Sequence, residues 1–253
     1  MSLRLRPRLA LLALGLATLA CSTVLPPRPE ITWDSDPAAV VLQATNCCGF
    51  VPYEVALNYI PDATLWGDGR LVWVAYDPDG QRRVLEGRLA PDEQRAFLDR
   101  IAAAGFFGWN SNYGDYSVTD LASRCLAVRL TATRHQVCEY YRGAPAAFHA
   151  LYTAAAQGAG AAGADFIPER GYVTAYPLTG VDPAALTVRL WPSDAGFTLA
   201  EAQGGRWAEG AALRAAWEAV NAGHWSHALQ DGETYYRLTV QVPGLSQSAP
   251  PEK

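Results

Sequence analysis

Two β-rich runs, Ala63-Thr64-Leu65-Trp66 and 70–76, flank Gly67-Asp68-Gly69, and both runs are apolar on both of their faces. Asp-Gly between such runs is a strong hairpin signal, because a type I′ turn needs positive φ at both central positions. With Asp68-Gly69 as a two-residue turn, Trp66 pairs with Leu71 and Thr64 with Trp73. Side chains alternate along a strand, so Thr64, Trp66, Leu71 and Trp73 would share one face and Leu65, Val72 and Val74 the other. A sheet apolar on both faces has to be covered twice. Helices can cover one side. Trp66 and Trp73, on the other, would meet either a second unit of the chain or a partner, such as a protein or a stacked sugar.

Around this hairpin the punctuation is that of an α+β chain. Residues 39–45 and 84–89 read as strands, and 123–141 as a second hairpin. A helix is predicted over 91–104: proline opens it, Asp92 and Glu93 meet the positive end of its dipole, and Gly105 closes it. Residues 145–157 predict another, with Phe148, Leu151, Tyr152 and Ala155 on one face. The expected first domain, 38–157, is an antiparallel sheet with helices packed on one face. Beyond the small-residue segment 157–164, strands at 172–176, 186–191 and 234–242 and a helix at 210–222 predict a second small α+β unit over 164–245. A polar, proline-bearing stretch, 246–253, reads as a disordered tail.

The N-terminus carries Arg4, Arg6 and Arg8 ahead of an apolar run over 9–20, too short to span a bilayer but sized as a signal-peptide core. Ala17-Thr18-Leu19-Ala20-Cys21 resembles the bacterial lipobox. That resemblance implies removal of 1–20 and acylation of Cys21. Thr18 stands where leucine is usual, so ordinary secretory cleavage nearby is the alternative. Several acyl chains meet the two-signal requirement for stable anchoring. The expected location is exported, lipid-anchored to a membrane surface outside the cytoplasm. Residues 21–37, with Pro26, Pro27, Pro29 and Pro37, would form the tether.

Four further cysteines, Cys47, Cys48, Cys125 and Cys138, suit disulfides in such a compartment. A loop near Thr131-Ala132 would set Cys125 opposite Cys138, leaving Cys47 and Cys48 free or joined to each other. The alternative sends each of those two to one hairpin cysteine. The formal net charge of −5 and the lack of a basic stripe argue against nucleic acid.

Residues 39–157 also resemble a small domain of unknown function found in exported and lipid-anchored bacterial proteins. The matching features run in order: Cys47-Cys48-Gly49, Pro52, Trp66-Gly67-Asp68-Gly69, Pro91-Asp92-Glu93, Phe106-Phe107, Tyr113, Val118-Thr119-Asp120-Leu121 and Tyr140-Tyr141-Arg142-Gly143-Ala144-Pro145. Val51 stands where the family pattern has a second cysteine, and 55–61 reads as an insertion. The resemblance implies this order of elements and an envelope location. It implies no activity.

No chemistry-bearing motif outweighs a bland reading. His224, His227, Asp231 and Glu233 lack the i, i+4 spacing of helical zinc sites and follow a glycine stop, so they read as exposed loop residues. The acidic loop 115–120 lacks the alternating ligands of an EF-hand. No G-x-S-x-G occurs, His135 and His149 have no partner in the sequence, and the glycines at 158–163 do not join a strand to a helix as a phosphate cradle must. The expectation is an envelope lipoprotein without cofactor or metal that binds a protein or glycan. The competing class is an envelope hydrolase using histidine and carboxylate groups.

Overall fold

The computed structural model describes residues 29–47, 49–222 and 227–252. Among them the fold is α+β, with two sheets and four α-helices. The larger sheet is built around the Gly67-Asp68-Gly69 hairpin. β1 (Val40–Cys47), β2 (Ala63–Trp66), β3 (Arg70–Tyr76) and β4 (Arg82–Arg88) lie side by side and antiparallel. β6 (Ser123–Arg129) pairs with the other edge of β1 and with β7 (Arg134–Tyr140). The short β5 (Asn112–Gly114) joins β7 in parallel, and β8 (Gly163–Asp165) closes the far edge on β4. The segment 157–164 is therefore no simple linker, because its last residues form the eighth strand.

The hairpin turn corrects the expected register. Leu65 pairs with Leu71 and Ala63 with Trp73, so the loop has three residues rather than two. The Gly69 N–H donates to Trp66 O at 3.1 Å, and Gly69 sits at φ +84°, the left-handed residue that ends a three-residue hairpin loop. Gly67 is required because the N-terminal segment crosses directly above it: a Cβ there would collide with the backbone oxygen of Asp34. The Trp33 indole N–H also donates to Gly67 O at 2.9 Å. One residue of slip flips faces. Ala63, Leu65, Leu71 and Trp73 face one core, and Trp66 and Val72 face the other.

Two helices cover the first face. The helix α2 (Pro91–Ala103) starts where Glu93 accepts the Ala90 N–H at 2.8 Å and stops at left-handed Gly105. It buries Phe97, Leu98 and Ile101 beside Phe148, Leu151 and Tyr152 of α3 (Ala146–Ala156). A five-residue helix, α1 (Tyr53–Leu57), overlaps the start of the stretch 55–61 that reads as an insertion.

The smaller sheet has the order β10 (Thr187–Leu190), β12 (His227–Asp231), β13 (Thr234–Gln241), β9 (Arg170–Pro177), β11 (Arg206–Glu209). Helix α4 (Gly210–Asn221) packs on it through Leu213, Ala216 and Trp217. The same core takes in Trp66, Val72 and Val84 from the larger sheet. The Trp217 indole N–H donates to Phe166 O at 2.8 Å. The second unit is thus the second cover that the hairpin demanded.

Two terminal expectations change. The tether does not extend to residue 37: Ile31 is buried, and Thr32 O accepts the Thr131 N–H at 2.8 Å. Nor is the tail free from residue 246. Leu245 is buried, the Gln247 N–H donates to Tyr59 O, and the Gln241 side-chain amide reaches Ser248 O and Ala249 O.

Candidate functional site

Trp66 and Trp73 do not form a ligand face. They are 4% and 5% exposed, on opposite sides of the sheet, because the three-residue turn separates their faces. Each is core.

The exposed apolar side chains lie elsewhere. Of nine large hydrophobic residues exposed among the described residues, seven (Phe50, Val51, Tyr53, Tyr76, Tyr116, Leu121 and Tyr141) sit at one end of the larger sheet. That end holds the last residue of β1, the first of β6 and the last of β3, β5 and β7. The N-terminal segment enters at the opposite end, against the β6–β7 turn and Gly67. The eight residues of β1 place the two ends about 26 Å apart.

Strand-end chemistry fixes this distal tip. The Tyr140 hydroxyl donates to Val118 O at 2.8 Å and accepts the Leu121 N–H at 3.3 Å, holding the loop 115–122 across the end of β7. The Tyr116 ring stacks on Tyr140 with centroids 5.3 Å apart. Arg142 clasps Asp115 through Nε and Nη2 at 3.0 and 2.6 Å. The Ser117 hydroxyl bonds the same carboxylate, and with Arg142 it lowers the Asp115 pKa to about 2. The Phe50 N–H donates to Asp120 O at 3.4 Å, which brings the loop after β1 beside the first. Phe50 is 90% exposed and Tyr116 73%. Asp120 and Tyr141 both adopt φ +66°, left-handed backbone that a bulky tyrosine takes only when its surroundings impose it.

Two concavities carry polar and charged side chains. On the uncovered half of the larger sheet, a cleft of about 710 Å³ is lined by Gln43, Ser111, Asn112, Gln136, and Arg129 directly opposite Arg134. Between the two units lies a cleft of about 300 Å³.

The remaining sequence candidates are dispersed. Cys125 and Cys138 are directly opposite and disulfide-bonded, with Cα atoms 4.0 Å apart. A disulfide is consistent with a location outside the cytoplasm. Cys47 is disulfide-bonded as well. Cys21, Cys48 and His224 lie outside the described residues. His227 opens β12, whereas Asp231 ends it and accepts the Leu199 N–H. His135 meets Trp109 O at 3.0 Å, and His149 lies 3.4 Å from the buried Glu139 carboxylate. Among the described residues no group of three or more histidine, cysteine or acidic side chains could hold a metal, and no helix is long and apolar enough to cross a membrane.

No family model, curated protein or solved structure matches this chain. The functional reading therefore rests on its own residues. Sequence reasoning missed the tip because exposure of Phe50 or Tyr116 depends on tertiary packing. The available signal was the density of aromatic residues in loops beside strand ends.

Proposed function

We propose that this protein is a lipid-anchored lipoprotein of the bacterial envelope that binds a partner protein through its distal tip. The observation that carries the reading is the confinement of seven of nine exposed large apolar side chains to the end of the sheet opposite the N-terminal segment. Monomer surfaces seldom gather apolar area this way unless a partner covers it. Tyrosine and phenylalanine are enriched at protein–protein interfaces, where a ring supplies area at low entropic cost. An anchor at Cys21 would join the fold from the other end, so the tip would face away from the membrane that carries it. This geometry favours a protein over the anchoring lipid as occupant. The signal-like N-terminus, the lipobox resemblance and the disulfide support export.

Two measurements test the proposal. Cys21→Ala should release the protein from the membrane fraction. Phe50→Ser with Tyr116→Ser should abolish capture of a stoichiometric partner in intact cells without lowering the melting temperature. Capture that survives the double substitution would overturn the tip as the recognition surface.

A further inference from the structure

The cleft between the two units is electrostatically unlike the acidic chain around it. Its walls carry Arg82, Arg189 and Arg237 against one carboxylate, Glu54, which is committed to Arg237. Arg82 is the informative residue. It is partly buried, and it donates from Nε to Asn221 Oδ1 at 2.7 Å and from Nη1 to Asn58 O at 3.1 Å. Both acceptors are neutral. No carboxylate pairs with Arg82 among the described residues, and its Nη2 has no protein acceptor there. Burial lowers its pKa, and the one opposing influence is Tyr76, its cross-strand neighbour, rather than a carboxylate. A half-buried guanidinium held by neutral acceptors alone keeps an unmatched charge, which an anion entering the cleft would meet.

The surroundings hold this group in place. The Asn221 amide donates to Trp217 O at 2.7 Å, so its Oδ1 is oriented toward Arg82. Asn58 inserts its amide against β13, donating to Leu238 O and accepting the Val240 N–H, both at 2.8 Å. Arg237 adds a second unmet donor: its Nε–H is buried without an acceptor. A planar fork with free N–H groups suits a carboxylate or phosphate, which accepts parallel hydrogen bonds.

We propose that this cleft is a binding site for the oxyanion of a small molecule, a carboxylate or a phosphate, held by Arg82 with Arg189 at its mouth. The site adjoins the distal tip and shares Tyr76 with it, but it rests on arginines rather than on the exposed apolar side chains. Because Arg82 bonds residues of both units, an occupant would also tie the two units together.

The test is calorimetric titration of the detergent-solubilised full-length protein with inorganic phosphate and, separately, citrate, at ionic strength held constant with chloride. Saturable binding of at least one is expected, weakened about tenfold or more in Arg82→Gln, a change of about 1.4 kcal/mol. The phosphate and citrate arms distinguish the two oxyanion sources. If Arg82→Gln fails to fold, Arg189→Gln decides, because that side chain is exposed and has no bonding partner among the described residues. It should weaken binding with the melting temperature unchanged. Absence of saturable binding to both anions would overturn the proposal. So would undiminished affinity in a folded Arg82→Gln or, where that variant fails to fold, in Arg189→Gln.

Discussion

Trp66 and Trp73 flank one three-residue turn on neighbouring strands, yet they are buried in different cores. Trp73 packs among the helices that cover one face, and Trp66 beneath the second unit. Each Trp→Ala substitution should cost about 3–5 kcal/mol, as large aromatic truncations do in closed cores. Because the two share no core, the costs should add within about 0.5 kcal/mol in a double-mutant cycle of urea unfolding. A coupling well above that would mean the rings share one environment.

This pair also marks the boundary of what the sequence reveals. Strand and helix identities were legible where caps, turns and periodicity agree, as at Pro91–Ala103 with Glu93 and Gly105, or where Cys125 meets Cys138. The need for two covers was legible too. The register was not, because the turn length is set by a tertiary contact: residues 33–36 packed on Gly67. Short strands such as β5, β8 and β11 carry little periodicity of their own and form only because a neighbouring edge is open. For the same reason neither the exposure of the tip nor the missing counter-charge of Arg82 could be read from residue types.

The Asp62 carboxylate accepts the Tyr152 hydroxyl of α3, and its pKa is raised, chiefly by burial, with the Tyr152 bond opposing. The folded state therefore prefers the protonated carboxyl. That contribution is fully present below the unfolded value of about 4 and is lost as pH rises through the higher folded value. Asp62→Asn should raise the urea midpoint at pH 7, and the advantage should vanish toward pH 3. An equal effect at both pH values would show that the carboxylate is not penalised by the fold.

Asp115 is held at about 2 by Ser117 and Arg142. A depressed folded pKa gives stability above the unfolded value, lost as pH falls from about 4 through about 2. Arg142→Ala should return the Asp115 titration, followed by NMR, toward the ordinary value. It should also loosen the loop that presents Tyr116. A titration unchanged from wild type would remove Arg142 from the architecture of the tip.

The Cys125–Cys138 bridge closes a short hairpin loop on the uncovered half of the sheet. Replacing both cysteines with alanine should cost about 3 kcal/mol in the chain-entropy model. The bridge belongs to neither core and lies two residues along β7 from Tyr140, whose hydroxyl holds the tip loop without it, so the variant should still capture the partner at temperatures below its melting point. Loss of capture by a folded variant would implicate the uncovered face in recognition.

The most direct test of the distal tip is site-specific photocrosslinking in intact cells, with the reactive group at position 50 in one variant and at position 190 in another. Leu190 is the control, being 77% exposed on the second unit and away from the tip. A single discrete adduct from position 50, absent from position 190 and lost when Tyr116→Ser is added, is the predicted result. Equal adducts from both positions, or none from position 50, would contradict the assignment of the tip as the partner-binding surface.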